Sequence, residues 1–365
     1  MSEIVAGQND MASEAVTRVA RALAGGQLVA LPTESVYEVA AAALVPAAVA
    51  RLAALAGPAE PLAVVLTGAA EAIDWLPYLP APAARLVRKL GAGPWKLIAD
   101  GGADFGLLRQ LPPAVRTALC PERHLALRWP DHTDWTAVIR RLGQPLVCAG
   151  FAPPALTAAQ AAATLGQRVE LVLDGGPGLI GVPPTVVRVT GRAWQLDRPG
   201  GLSAEAAQEL LLCRVLFVCT GNTCRSPMAE ALLSRLLAER LGCGPDELRQ
   251  HGFLVQSAGL AAMMGGAAAP EAIGAVAALG GELARHRSRP LTLELLALAD
   301  HVFAMTEGHL DALAGVDLPE LAVPRLLSAE GRDIADPIGA EAEVYRACAQ
   351  EIWEQLQKRL PEIHS

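Results

Sequence analysis

Arg214-Val215-Leu216-Phe217-Val218-Cys219-Thr220-Gly221-Asn222-Thr223-Cys224-Arg225-Ser226-Pro227 opens on an apolar run typical of a strand buried on both faces. The run leads into a helical pattern with Met228, Leu232 and Leu236 on one face. Ser226 suits a helix N-cap and Pro227 the first helical position. The reading is strand, tight loop, helix, with a cysteine where the strand ends. Five residues separate Cys219 from Arg225, enough for the loop to curl around one tetrahedral anion. Its amide N–H groups would converge on that anion, aided by the helix N-terminus.

Each residue type in the loop has a chemical use. A helix N-terminus and a nearby guanidinium lower a thiol pKa, so Cys219 is expected as a thiolate nucleophile. Arg225 offers a planar fork for two phosphoryl oxygens. Ser226 could hydrogen-bond the sulfur and help it leave when a phospho-cysteine is hydrolysed. Gly221 and Asn222 tolerate the positive φ that such a loop demands. Thr220, Thr223 and Cys224 complete the expected phosphate-binding loop.

This string resembles that of the low-molecular-weight phosphotyrosine phosphatase family, over about residues 214–360. Further matches are Gln256-Ser257-Ala258-Gly259, His286-Arg287-Ser288-Arg289-Pro290-Leu291, Val302-Phe303-Ala304-Met305-Thr306 and Asp336-Pro337. The resemblance implies a doubly wound parallel sheet and catalysis without metal or cofactor. It also makes Asp336, just before a helix expected over Ala342 to Arg359, the general acid and later the base.

Three substrates compete within that resemblance. Phosphotyrosine is usually held between aromatic walls, but Ile338 follows Asp336-Pro337, and Met263 and Met264 follow Ser257-Ala258-Gly259. The loop string is similar to that of bacterial protein-arginine phosphatases, in which a threonine at the place of Thr223 favours phosphoarginine. Thr223 could instead simply pack in the loop. Arsenate reduction needs two further cysteines as a relay, and after Cys243 only Cys348 remains. Cys224 could form a protective disulfide with Cys219 or be a buried filler. Cys120, Cys148, Cys213 and Cys243 read as core or incidental.

The remaining chain is of ordinary domain composition. Its 365 residues suggest two domains, and 52% apolar with 19% charged residues argues against disorder. A net charge of −8 gives no footprint for tight nucleic-acid or membrane-surface binding. No apolar run is long enough to span a membrane. Seven cysteines without framework or zinc spacing suggest reduced thiols and a cytoplasmic protein. Short β runs at Leu28 to Leu31, Leu62 to Leu66, Leu125 to Leu127, Leu171 to Leu173 and Thr185 to Val189 alternate with helical stretches such as Ala12 to Ala24. The class is therefore α/β. The boundary falls at Asp197-Arg198-Pro199-Gly200-Gly201, before a helical run over Ser203 to Leu212. The expected domains are 1–203 and 213–365.

Leu31-Pro32-Thr33-Glu34-Ser35-Val36-Tyr37 resembles the opening motif of the YrdC/Sua5 family, which makes threonylcarbamoyl-adenylate for tRNA modification. Pro61-Leu62, Gly93-Pro94, Ala126-Leu127-Arg128-Trp129-Pro130, Asp174-Gly175-Gly176, Thr185-Val186-Val187 and Arg198-Pro199-Gly200 extend it over about residues 10–203. It implies a YrdC-like twisted sheet with helices. Several polar positions depart from the family. Glu38 stands for glycine, Leu55-Ala56-Gly57-Pro58 for Lys-x-Arg-Pro, Lys96 for threonine, Ala149-Gly150-Phe151 for Ser-Ala-Asn, and Pro184 for serine. The expectation is a degenerate domain without adenylate synthase activity, retained for packing, substrate presentation or regulation, with ATP and tRNA as partners only if the domain is active. The alternatives are that Lys96, Arg128 and Arg198 rebuild a phosphate site, or that the chain is chiefly a threonylcarbamoyladenylate synthase. The leading expectation is a cysteine-dependent phosphatase of phosphorylated proteins.

Overall fold

The computed structural model describes residues 2–6, 14–101, 105–316 and 323–364. The chain divides into two compact units, Met1–Leu211 and Leu212–Ser365. The helix expected over Ser203 to Leu212 is found over Ala204–Leu211 and closes the first unit.

Ten strands form one mixed sheet in the first domain. They are β1 (Glu3–Ala6), β2 (Val29–Leu31), β3 (Glu38–Ala42), β4 (Ala63–Val65), β5 (Trp95–Asp100), β6 (His124–Arg128), β7 (Leu146–Ala149), β8 (Leu171–Asp174), β9 (Thr185–Thr190) and β10 (Ala193–Arg198). Their order is β1-β8-β2-β3-β7-β4-β6-β5-β9-β10. The expected β runs all lie within or across these strands. The expected helix from Ala12 is described over Glu14–Ala24, residues 12 and 13 lying outside the described residues.

Side chains alternate between the two faces of the sheet, as the pleat requires. Ala30, Leu125, Leu127 and Val187 enter one core, while Val29, Leu31, Ala126 and Val186 enter the other. The second core is covered by helices Glu14–Ala24 and Thr133–Leu142 through Val16, Val19, Trp135 and Val138. β3 is Glu-Val-Ala-Ala-Ala, a composition with weak strand preference. It is a strand because β2 and β7 pair with it antiparallel on either side. All five of its residues are buried, Glu38 included.

The second domain is a smaller, wholly parallel sheet. β11 (Cys213–Cys219), β12 (Phe253–Gly259), β13 (His301–Ala304) and β14 (Arg325–Leu326) take the order β12-β11-β13-β14. Val215, Phe217 and Cys219 of central β11 face one core, with helices Arg225–Leu241, Pro270–Ala278 and Ala342–His364. Leu216 and Val218 face the other core, with Leu296 and Leu313. Helices on both faces make the sheet doubly wound, as expected from the uninterrupted apolar run. Phe217 stacks on Phe303 of β13 at 5.8 Å between ring centroids. The C-terminal helix runs beyond Arg359 and through Pro361 to His364. Arg359 holds this end by donating to the carbonyls of Leu326, Leu327 and Ser328, and Ile363 is buried.

Candidate functional site

Cys219 is the last residue of β11, so the sheet's C-terminal edge fixes where its side chain stands. The loop Thr220 to Cys224 then turns into the helix Arg225–Leu241. Asn222 supplies the turn with φ of 55°, while Gly221 does not take the positive φ anticipated for it. Only a short polar side chain or glycine adopts that conformation cheaply.

Asn222 also locks the loop from its side chain. Its Nδ2 donates to Ser226 Oγ at 3.0 Å and to Ser257 Oγ at 2.8 Å. Its Oδ1 accepts from the Arg289 backbone N–H at 2.9 Å, and its carbonyl lies 2.9 Å from His286 Nε2. Ser257 in turn donates to Glu230 at 2.5 Å. Every polar atom of the buried amide therefore has a partner, which makes the loop a rigid element. Ser257, His286 and Arg289 lie in segments that the family motifs mark, but only the fold shows their task. Their task is to hold Asn222.

The sulfur sits inside this lattice. Cys219 Sγ accepts from the Asn222 backbone N–H at 3.2 Å and lies 2.9 Å from Ser226 Oγ. Ser226 Oγ already accepts from Asn222 Nδ2, so its own hydrogen faces two acceptors, the sulfur at 2.9 Å and Ala258 O at 3.4 Å. Both donors stabilise negative charge on sulfur, whether it attacks or departs. The expected N-cap role of Ser226 is corrected: Cys224 is the N-cap, the helix starts at Arg225, and Pro227 is its third residue. The hydroxyl is taken up by sulfur and amide instead. A close backbone approach completes the loop. A Cβ at Gly259 would stand 2.5 Å from Thr220 O and 2.9 Å from Asn222 N.

Arg225 and Asp336 meet at the same place. Arg225 Nη2 is 2.5 Å from Asp336 Oδ2, and its Nη1 donates to Ile334 O at 3.1 Å. Asp336 Oδ1 accepts from the Ile338 backbone N–H, and the carboxylate is partly open to solvent. Ile338, Met263 and Met264 are exposed. The loop bearing the methionines is tied to the site, since Leu260 N and Ala261 N donate to the carbonyls of Cys219 and Thr220. Thr223 accepts through its carbonyl from Ala269 N, and its hydroxyl lies 3.7 Å from Cys224 Sγ. Cys224 is buried, with Sγ 3.4 Å from the Tyr345 hydroxyl; all seven cysteines are free thiols. A residue that the sequence reading passed over, His309, bonds Thr220 Oγ1 at 2.9 Å.

Two of the departures in the first domain, Glu38 and Lys96, meet in one buried cluster. Glu38 lies 3.2 Å from Lys96 and 3.2 Å from Arg128, all three without solvent exposure. Arg128 also reaches Glu34 at 2.7 Å and donates to Gly93 O. Glu60 bonds both Lys96 and Arg198. Three carboxylates and three cations thus neutralise one another. Burial would raise the Glu60 pKa, but Lys96 and Arg198 outweigh it and hold it down at about 2. Burial likewise opposes the charge on Glu38, and Lys96 with Arg128 prevails to keep it ionised. Each of Lys96, Arg128 and Arg198, the cations that could have rebuilt a phosphate site, is held by a carboxylate. A cavity of about 750 Å³ lies alongside, lined by Glu60, Leu62, Ile98, Ala126, Val186 and Arg198 among others. An anion entering there would compete with Glu60 for Arg198. Among the described residues, no group of three His, Cys, Asp or Glu side chains could hold a metal, and no helix is long and apolar enough to cross a membrane.

Comparison with known proteins bears on both domains. The family model described as low molecular weight phosphotyrosine protein phosphatase matches residues 214–365. The Sua5/YciO/YrdC model, described as telomere recombination, matches residues 21–200. A protein-arginine-phosphatase of Geobacillus stearothermophilus is 42% identical over 154 residues, 41% of this chain and 94% of that protein. A putative threonylcarbamoyl-AMP synthase of Mycobacterium tuberculosis is 31% identical over 204 residues, 54% of this chain and 90% of that protein. The solved structure of an arginine phosphatase from Geobacillus stearothermophilus aligns with a TM-score of 0.36 at 38% identity, over 42% of this chain and 93% of its own.

Proposed function

We propose that this chain, which belongs through its second domain to the low molecular weight phosphotyrosine protein phosphatase family and through its first to the Sua5/YciO/YrdC family, hydrolyses phosphoarginine on proteins. The observation that carries the reading is the setting of Cys219. Its sulfur receives two hydrogen bonds inside a loop that ends on Arg225, with Asp336 alongside. Cys219 attacks phosphorus in line, forming the S–P bond as the bond to the leaving nitrogen breaks. Asp336 gives that nitrogen its proton. Asp336 then takes a proton from water, which attacks the phospho-cysteine and releases phosphate and the thiolate. Arg225 leaves Asp336 to hold the phosphoryl oxygens, while Ser226 and Asn222 N–H stabilise the departing sulfur.

Two observations favour phosphoarginine over phosphotyrosine. The exposed side chains beside the site are Ile338, Met263 and Met264, where an aryl group would gain most from aromatic neighbours. The relative of 42% identity is named a protein-arginine-phosphatase. Turnover of matched phosphoarginine and phosphotyrosine peptides tests the reading. The guanidino phosphate should turn over faster and Cys219→Ser should hydrolyse neither; a faster phosphotyrosine rate refutes the preference. The free thiols suit the reducing cytoplasm, where we place the protein.

The first domain is read as one that does not make threonylcarbamoyl-adenylate. The support is the commitment of Lys96, Arg128 and Arg198 to Glu34, Glu38 and Glu60. Its relative named as a putative threonylcarbamoyl-AMP synthase favours the other reading. Calorimetric titration of the full chain with ATP at millimolar concentration separates them, since a neutralised cluster should give no binding heat.

A further inference from the structure

His309 is buried at 6% exposure, and both of its ring nitrogens are hydrogen-bonded. Nδ1 lies 2.9 Å from Thr306 Oγ1, and Nε2 lies 2.9 Å from Thr220 Oγ1. Thr306 is the N-cap of helix Glu307–Leu313, and its Oγ1 accepts the backbone N–H of His309. One sense of the chain of hydrogen bonds uses every hydrogen at these three residues. Thr306 accepts at its lone pair, and its hydroxyl hydrogen goes to Nδ1. Nε2 then carries the ring proton and donates it to Thr220 Oγ1. The opposite tautomer would use the Thr220 hydrogen on the ring and leave the Thr306 hydrogen without a partner among the bonds at that residue.

Burial, with Arg225 nearby, lowers the His309 pKa against the pull of Asp336 and Asp333, which favours the neutral ring. Thr220 is the residue directly after Cys219, and its side chain is exposed. A threonine whose oxygen is pinned from behind has one hydrogen left, and that hydrogen faces away from the imidazole. We infer that His309 is a positioning residue of the phosphatase site, orienting the Thr220 hydroxyl as a donor to the anion held in the loop. The inference rests on the reading of the Cys219 loop as a phosphate cradle. It adds one side-chain donor to the backbone amides and the Arg225 fork.

A double-mutant cycle on the full chain tests it, read in two ways. One is kcat and KM on p-nitrophenyl phosphate; the other is calorimetric affinity for inorganic phosphate. Thr220→Val and His309→Leu should each lower kcat/KM, and weaken phosphate, about tenfold or more, the effect of one hydrogen bond to a charged group. The double variant should be no worse than the poorer single one. His309→Gln, whose amide can donate in place of Nε2, should recover most of the loss, as should Thr220→Ser. Losses that multiply in the double variant, or a Thr220→Val variant as good as wild type, would overturn the inference. Where His309→Leu does not fold, the His309→Gln and Thr220→Val pair makes the same comparison. Failure of the underlying reading looks different: phosphate would bind, and be weakened in this pattern, without turnover that depends on Cys219.

Discussion

Arg225 Nη2 and Asp336 Oδ2 stand 2.5 Å apart, which pairs the proposed phosphate clamp with the proposed proton donor. A bound phosphoryl group must take Arg225 from Asp336, and doing so frees the carboxyl beside the leaving atom. Binding and acid catalysis are thereby coupled through one guanidinium. Ile334 O keeps the other arm of Arg225 in place during the exchange.

Asp336→Asn separates the two roles. Loss of the general acid should lower kcat on phosphoarginine peptides by about 100-fold or more. The fall should be smaller on p-nitrophenyl phosphate, whose leaving group needs no proton. Affinity for inorganic phosphate should hold or rise, because the anion no longer competes with a carboxylate for Arg225. Steady-state kinetics and calorimetry on the one variant check all three.

Gly259→Ala tests the rigidity of the loop. The new Cβ would meet Thr220 O at 2.5 Å, and neither backbone can yield without moving the cradle. A displacement on the order of 1 Å is expected to cost about 100-fold in kcat/KM. The thermal midpoint should change far less than activity, since the glycine lies at the strand's end.

Thr223→Ile asks whether that side chain selects the substrate. The ratio of phosphoarginine to phosphotyrosine turnover should fall, as the larger aliphatic group closes on the guanidinium side. An unchanged ratio assigns Thr223 to packing alone.

The cluster in the first domain makes a stability prediction. Glu38→Gln leaves Lys96 and Arg128 without full compensation in a site closed to water, which should cost about 3–5 kcal/mol. Replacing both partners, Glu38→Leu with Lys96→Met, should cost less than the single change. Tryptophan fluorescence during denaturation reads this domain, since five of the six tryptophans lie there.

Acid stability follows from Glu60. Its folded pKa of about 2 lies below the ordinary 4.5, so its stabilising share is present above about 4.5 and is lost as pH falls through about 2. That share is on the order of 3 kcal/mol. Unfolding free energy measured from pH 6 down to 2 should fall more steeply for wild type than for Glu60→Gln.

The loop was legible because Arg214 to Pro227 states strand, turn and helix in adjacent residues. What escaped lies in contacts between distant ones. Glu38 and Lys96 are 58 residues apart, so the sequence shows two separate departures where the fold makes one ion cluster. Ser226 before proline is a strong capping signal, yet the thiol and Asn222 claim its hydroxyl. β3 is three-fifths alanine and becomes a strand only through its neighbours. His309 stands in no motif, and only the fold brings it to Thr220.

The most direct test is to mix enzyme with phosphoarginine peptide, quench in denaturant within a turnover, and map the phosphoryl group by mass spectrometry. Wild type is the form to use, since Asp336→Asn slows formation of the intermediate as well as its hydrolysis. The phosphoryl group should sit on the peptide containing Cys219, and the Cys219→Ser protein should release no phosphate. Turnover with no phosphate ever found on that cysteine would contradict the account.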